Sequence, residues 1–535
     1  MNDNNAMQRR RFLQAGLAGA SLAFVRPTPG RTDDTAVLSL GGDRQLFHDD
    51  RLLDRALTRD VTRTQNPPQD IRRVLRPERP WETLGFIFYS SVLEDDREIK
   101  LYYGSYGWDA KIVRHSCLAT SQDGIHFQRP ELGEARFDGK TLKTNLLSPT
   151  AIDASVLLDP HAPPQKRYRM VYTAGSLNDP AKGGIYTATS PDGIGWDKNP
   201  TRLLPFIPDS QHTTYWDPRL QKYVIYLRAW DRQLKNREVC RVAVEDIDQP
   251  WPYDASVPPY YVWGKDHTPT LSREFPIVMA RDQQDPDNLD IYTNVVMPYP
   301  FAPGVFVAFP AVYLKFKGAN WKDIALNGND GSFSVQLATS PDGIAWNRWR
   351  QPYVAAGFHD GLDLRLVSMA RGMVRRGRSI YQYFVGWPHT HGRPNVWDRD
   401  PQDGAAWTKM EKGGIYLAQQ RLDGFVSMDS AYQGGVLTTR PLTFTGRYLV
   451  LNLDTRGAGS AKVALLDAAG APLPGFAAEQ CTIIQADAIN HVVQWKKSPD
   501  LGALAGRPIR VQITMRDTKL FALQFVQDQE KESQT

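Results

Sequence analysis

The sequence predicts an all-β chain: a five-bladed β-propeller followed by a small jelly-roll-like β-sandwich. Three observations lead there. The 535 residues include 14 Trp, 22 Tyr and 21 Phe alongside 41 Gly and 38 Pro, a composition suited to many short strands joined by turns. One turn cassette recurs at five places along the chain. Helical periodicity is essentially absent, which disfavours an α/β barrel.

The cassette sets the blade count. Ser121-Gln122-Asp123-Gly124-Ile125-His126-Phe127 recurs as Ser190-Pro191-Asp192-Gly193-Ile194-Gly195-Trp196 and as Ser340-Pro341-Asp342-Gly343-Ile344-Ala345-Trp346. Each copy follows a strand-like stretch. Asp-Gly supplies a turn with positive φ, the Ser and Asp side chains satisfy backbone groups, and the aromatic packs on the sheet. Two degraded copies, at 241–251 and 414–426, complete a set of five. Upstream of each copy lies a second hairpin of alternating apolar residues, at 91–103, 155–172, 214–227, 295–309 and 372–384. Four strands per repeat make a propeller blade, so the propeller is expected over residues 38–430. From 437 to 526 the repeat stops. Short strands at 448–453, 461–466, 492–495, 509–515 and 519–525 suggest the sandwich, and 527–535 reads as a frayed polar tail.

Charge and cysteine usage narrow the function classes. The 64 basic and 59 acidic residues are dispersed and leave a net charge of +5, so nucleic acid is not an expected partner. Cys117, Cys240 and Cys481 are far apart and lack metal-ligand spacing, which gives neither a disulfide framework nor a zinc site. Arg9, Arg10, Arg11, Phe12 and Leu13, then an apolar stretch at 15–25 and a Pro/Gly breaker at 27–30, are similar to a twin-arginine export signal. Residues 1–30 are therefore expected to address the protein to the periplasm or the exterior. The apolar run is shorter than the roughly 20 residues a spanning helix needs, and no membrane partner is expected once the signal is removed. No cysteine follows the run, which excludes lipid anchoring there.

Four further segments carry a resemblance: Phe47-His48-Asp49-Asp50-Arg51-Leu52-Leu53, Arg79-Pro80-Trp81-Glu82, the Leu-Ala-Thr-Ser-x-Asp-Gly-Ile form of the cassette at 118–125, and 517–525. Together they resemble exported bacterial five-bladed propellers related to glycoside hydrolase families 43, 32 and 68 with a C-terminal β-sandwich. The cassette is also similar to the Asp-box of sialidases, though one residue shorter. In both groups this turn is architectural, which assigns Asp123, Asp192, Asp342 and Asp423 to structure. The resemblance implies hydrolysis of a glycosidic bond in a furanoside or similar glycan, an oligo- or polysaccharide partner, and acids on innermost strands converging at the channel mouth. The chain departs from those families in lacking Asn-Asp-Pro-Asn-Gly, Arg-Asp-Pro and Glu-Cys elements; Glu238 and Cys240 are separated by Val239. Residue roles therefore do not transfer from them.

Glycoside hydrolysis needs two carboxyl groups flanking the anomeric carbon, one holding a proton and one ionised. Aligning the blade starts places Asp95, Asp159 and Asp217 at hairpin turns, where they read as solvent-facing. Asp153 and Asp290 start or lie on inner strands and are the candidates for base or nucleophile. Glu82 precedes the first inner strand and is the candidate acid, with Asp50 on the strand entering the propeller. Asp209 and Asp363 occupy corresponding places in the third and fifth blades. Arg228 and Arg237 suit sugar hydroxyls or a carboxylate, and Tyr292, Trp387, His389 and His391 offer stacking and donor groups on a loop side of the scaffold. The two His have no third ligand, so no metal or cofactor is expected at the site, although a structural calcium ion is compatible with the fold. Two alternatives remain: a non-catalytic carbohydrate-binding propeller, and sialidase-like or lyase activity on an acidic sugar, which requires a sixth blade or arginines clustered at the channel. Oligomeric state is not readable.

Overall fold

The computed structural model describes residues 36–109, 111–151, 153–174, 183–234, 236–251, 260–263, 268–272, 275–316, 330–392, 401–496 and 498–528. Residues 1–35, where the export signal is expected, and 529–535 lie outside them. Five antiparallel sheets follow one another in the chain. The first blade holds Gly85–Asp95, Glu98–Trp108 and Ile112–Ser121, the second Ser155–Leu158, Tyr168–Ala174, Gly184–Ser190 and Thr201–Leu204. The third holds Thr213–Asp217, Lys222–Trp230, Arg237–Val244 and Ile277–Met279. In the fourth, the two inner strands are each interrupted, at Leu289–Ile291 with Val296–Pro298 and at Phe306–Ala308 with Ala311–Lys315, before Gly331–Ser340 and Asn347–Val354. The fifth consists of Leu366–Met369, Ser379–Trp387 and Gly414–Arg421, and its outermost strand is Asp70–Leu75, brought from ahead of the first blade. That pairing of early and late chain closes the ring.

Inner strands touch in cyclic order from blade to blade. At the axis, Arg371 exchanges backbone hydrogen bonds with Ser90 and Val92 of the first blade, while its guanidinium donates to the carbonyls of Val156 (3.0 Å) and Thr214 (2.8 Å) in the second and third. Full burial pushes this guanidinium down to about 10. A buried cation and backbone carbonyls thus tie the inner strands of the first three blades to the fifth.

Each intact cassette is built as its residues dictate. The Asp123 Oδ1 accepts the backbone N–H of Ile125 and His126 at 2.8 Å, and the Ser121 hydroxyl accepts that of Gly124 at 2.9 Å. Asp192 and Asp342 repeat the pattern. The glycines carry φ of 81°, 76° and 74° and each receives a tyrosine from the neighbouring blade: Tyr383 O–H donates to Gly124, Tyr102 to Gly193 and Tyr226 to Gly343. A Cβ at Gly193 would stand 2.2 Å from the Tyr102 hydroxyl. Glycine is required there both by conformation and by space.

The degraded cassettes are fastened differently. Asp248 takes Arg169 Nη1 of the second blade at 2.5 Å, and Asp423 accepts Tyr299 O–H at 2.9 Å and Asn452 Nδ2 at 2.9 Å, with Arg44 Nε on the same carboxylate. The hairpin-turn acids correct the expectation of solvent-facing groups. Asp159 is buried and accepts from Arg169 Nε (3.0 Å) and Tyr223 O–H (2.7 Å), Asp95 from Arg167 and Tyr168, and Asp217 from Arg219 (2.9 Å). They pin turns within and between blades.

The sandwich is larger than the 437–526 segment. Its first sheet joins Leu38–Ser39, Gly435–Thr438, Leu442–Thr443, Ser460–Asp467 and Ile509–Arg516; its second joins Gln45–Leu46, Val61–Gln65, Val426–Ser430, Tyr448–Asp454, Asp487–Val492 and Thr518–Val526. The chain from 38 to 65, expected to open the propeller, instead pairs with these late strands. Leu449, Leu451, Val463, Val511, Ile513 and Leu523 fill the space between the sheets. The Cys117, Cys240 and Cys481 thiols are buried and unpaired by disulfide. No helix of the described residues is long and apolar enough to cross a membrane.

Candidate active site

Inner-strand starts of the second, third and fourth blades converge beside the first strand of blade one. Tyr292, just past the Leu289–Ile291 strand, is the hub. Arg228 Nη2 donates to its carbonyl at 2.8 Å and the Arg228 guanidinium lies 4.3 Å from its ring centroid. Arg237 packs on the same ring at 4.9 Å, and on Trp230 and Tyr313 at 4.8 and 5.3 Å. The Tyr292 hydroxyl meets His391 Nε2 at 2.8 Å. Aromatic rings supply the surrounding wall: Phe88 lies 4.3 Å from Trp387, and Trp387 lies 4.1 Å from His389. Such ring faces hold cations by their quadrupole, and both buried arginines use that contact.

Two acids adjoin this hub. Asp209 lies in the loop entering the third blade with φ 55°, a left-handed conformation that Asp tolerates better than most residues. Its carbonyl and its Oδ2 (3.3 Å) both accept from Arg228 Nη1, and its side chain is 69% exposed. Asp153, at the entry to the second blade, is buried. Its Oδ1 accepts the Thr173 backbone N–H at 3.0 Å, and its Oδ2 lies 3.8 Å from His212 Nε2. Burial pushes the Asp153 carboxyl up to about 6; the Thr173 hydrogen bonds pull the other way, and the negative charge of Asp209 adds to the rise. Burial, helped by the positive charge of Arg228, pulls the His212 imidazole down to about 3, so that it is neutral. Tyr89 and Tyr106 complete the mouth. Burial raises the Tyr89 phenol well above its ordinary value, with Tyr292, Arg228 and Asp209 as charged or hydrogen-bonding neighbours, and pushes Tyr106 up to about 12 beside Arg114.

The remaining candidates separate into those at the hub and those away from it. Asp290 is fully buried under the hub, where its Oδ2 binds Arg237 Nη1 and Lys315 Nζ, both at 3.0 Å. Shared between two cations, it fixes Arg237 against Tyr292. Glu82, expected as the acid, is fully buried elsewhere in blade one. Its oxygens accept from Arg129 (2.9 and 2.8 Å), Tyr103 O–H (2.8 Å) and the N–H groups of Glu78 and Arg79. With every acceptor position filled it is a structural carboxylate. Asp50 is bound by Arg55 and Arg63 on the segment that belongs to the sandwich, and Asp363 pairs with Arg365 at 2.8 Å on the surface. None of these three has a hydrogen bond or ion pair to the hub. Among the described residues, no three His, Cys, Asp or Glu side chains are grouped to hold a metal ion.

Sequence reading missed His212, Thr173, Tyr89 and Tyr106. His212 was detectable by position, since it directly precedes the third inner strand as Asp153 precedes the second. The tyrosines sit within ordinary strand alternation and carry no separate signal.

No family model matches the chain, and no curated protein matches it. Among solved structures, the chain is similar to a β-1,2-mannobiose phosphorylase from Listeria innocua, at 12% identity over 66% of this chain and 97% of that one with a TM-score of 0.39. A glycosyl hydrolase from Bacteroides ovatus aligns at 16% identity over 66% and 93% with a TM-score of 0.38. A thermostable family-43 glycoside hydrolase aligns at 13% over 68% and 95% with a TM-score of 0.36. No residue role passes from them to this chain.

Proposed function

We propose that this protein is an exported enzyme that cleaves a glycosidic bond, with Asp153 as the proton-carrying acid and Asp209 as the ionised partner. The observation behind it is one pair of neighbouring carboxyls in opposite environments. Asp153 is buried among neutral donors and holds its proton up to about pH 6, whereas Asp209 is exposed beside a guanidinium. Two acids with environments this different can divide the proton-donating and charge-stabilising roles of glycosyl transfer between them. Asp153 would protonate the departing glycosidic oxygen, and Asp209 would face the positive charge developing at the anomeric carbon or activate water. The rings of Tyr292, Tyr89 and Trp387 and the donors of Arg228 and His391 suit a polyhydroxylated ring. The twin-arginine-like leader supports action outside the cytoplasm.

The test is turnover by purified protein on a panel of furanosidic and pyranosidic oligosaccharides. Asp153→Asn is expected to lower kcat/KM by about 10²–10⁴; glycan binding without turnover, unaffected by this change, would support the non-catalytic reading. The two guanidiniums on Tyr292 favour an acidic sugar as a second reading. Uronate-containing substrates should then outperform their methyl esters.

A further inference from the structure

Asp330 directly precedes the third strand of blade four, Gly331–Ser340, and is buried. Its carboxylate is spent on the turn that leaves blade five. Oδ1 accepts the Gly392 N–H at 2.6 Å and Oδ2 accepts the Thr390 hydroxyl at 3.2 Å, while the carbonyl of Gly331 accepts the His391 N–H at 3.1 Å. Three consecutive residues, 390–392, are thus tied to two, with His391 in the middle. Among the described residues no cation is ion-paired with Asp330, in contrast to Asp290 and Glu82. A carboxylate buried without a cation is costly unless its hydrogen bonds are made, so the turn supplies here what a guanidinium supplies elsewhere. The fit is close: a Cβ on Gly392 would stand 3.0 Å from the Asp330 carboxyl carbon and from Oδ1.

The pinned residue reaches the hub. His391 Nε2 lies 2.8 Å from the Tyr292 hydroxyl, and its ring centroid is 5.1 Å from that of Tyr313 and 5.6 Å from that of Phe333. His391 is nevertheless only half-buried, which leaves it surface for a ligand. We propose that Asp330 is a positioning residue: through the turn at 390–392 it holds the His391 imidazole against the Tyr292 hydroxyl as a preset contact for a hydroxyl of the bound sugar. The substrate role rests on the glycan-cleaving reading; the clamp does not. An imidazole on a free loop would lose backbone and rotamer freedom each time a sugar bound, and fixing it beforehand moves that loss from binding to folding. Asp330 touches no substrate in this scheme and acts only through His391.

The experiment compares full-length wild type with Tyr292→Phe, Asp330→Asn and Asp330→Ala, each carrying ¹⁵N-labelled histidine, with His391→Gln used to assign the ring signals. Tyr292→Phe should shift the His391 ring nitrogens because it removes their hydrogen-bond partner. Asparagine keeps an oxygen for the Gly392 N–H, so Asp330→Asn should leave them near their wild-type positions, whereas Asp330→Ala should move them to about where Tyr292→Phe puts them. Signals that stay put in Asp330→Ala would overturn the clamp. Should that variant not fold, Gly392→Ala, which presses on the carboxylate from the other side, carries the same expectation and the same overturning result. These readouts need no substrate, so a protein inactive on every glycan would refute the enzymatic reading while leaving the clamp to stand or fall on its own spectra. If turnover is found, Asp330→Ala should raise KM about tenfold while changing kcat less than about threefold, and Asp330→Asn should restore most of the loss; an unchanged KM would remove the substrate role.

Discussion

Glu82 and Asp153 are both carboxyls buried within the propeller, yet their surroundings assign them opposite work. Glu82 meets Arg129 in a two-pronged ion pair and takes three further donors. Asp153 meets only the neutral donors of Thr173 and the neutral ring of His212, with another acid, Asp209, nearby. The difference teaches that burial alone does not mark a catalytic acid. A buried carboxylate with its own cation is part of the frame, because ion pairing offsets desolvation; a buried carboxyl denied a cation keeps its proton and can deliver it.

The largest effect should come from breaking the framed member. Glu82→Gln leaves Arg129 buried without its countercharge, and denaturant unfolding should report a loss of about 4 kcal/mol. Little loss would show that the ion pair is dispensable and weaken the contrast at its root.

Asp153→Asn should behave in the opposite way. The folded-state value of about 6 lies above the ordinary carboxylate value of 3.8, so the fold prefers the protonated form. That contribution is fully present below about pH 4 and is lost as pH rises through 6. Asparagine cannot ionise. At about 1.36 kcal/mol per unit, the variant should match the wild type at pH 4 and exceed it by up to about 3 kcal/mol at pH 8. Parallel stability curves across that range would mean that Asp153 is not held protonated by the fold.

The same contrast between neutral and charged fastening recurs at the blade seams. Tyr226→Phe removes a buried hydroxyl bonded to the Gly343 carbonyl at 2.6 Å, and its cost of about 1 kcal/mol should be independent of salt. Asp248→Asn opens the Arg169 seam, where the carboxylate is one-third exposed; its smaller cost should shrink between 0.05 and about 1 M salt as the ion pair is screened. Equal salt responses would erase the distinction between intact and degraded cassettes.

These seams also mark what was legible in the sequence. The Ser-x-Asp-Gly turn announces itself because its chemistry is local: a side chain two residues from the backbone it satisfies, and a glycine that no other residue can replace. Blade number followed from that. Closure by Asp70–Leu75 and the recruitment of 38–65 into the sandwich were not legible, since pairing between the two ends of the chain, as of Leu75 with Ile415 and Val61 with Ser430, leaves no periodic trace at either end. The site divided along the same line. Blade alignment singled out Asp153 and Asp209, and the structure sets both beside Arg228 or the residues it touches. Glu82 and the hairpin acids Asp95, Asp159 and Asp217 were misread because their roles depend on arginines and tyrosines distant in the chain, such as Arg129 for Glu82 and Tyr223 for Asp159.

The smallest expected effect bears most directly on the pairing of the two mouth acids. Asp209 ranks behind burial and the Thr173 hydrogen bonds among the causes that raise or lower the Asp153 carboxyl. Its side chain is largely in water, where charge–charge interaction is weak. Asp209→Asn should therefore lower the Asp153 midpoint by only a few tenths of a unit, about 0.5 kcal/mol. The shift can be read without substrate by comparing the pH dependence of stability in Asp209→Asn with that in the Asp153→Asn/Asp209→Asn double variant, so that all other titrations cancel. A midpoint that stays put in low salt would place Asp209 out of electrical reach of Asp153, and two acids that do not sense one another cannot flank a single glycosidic bond.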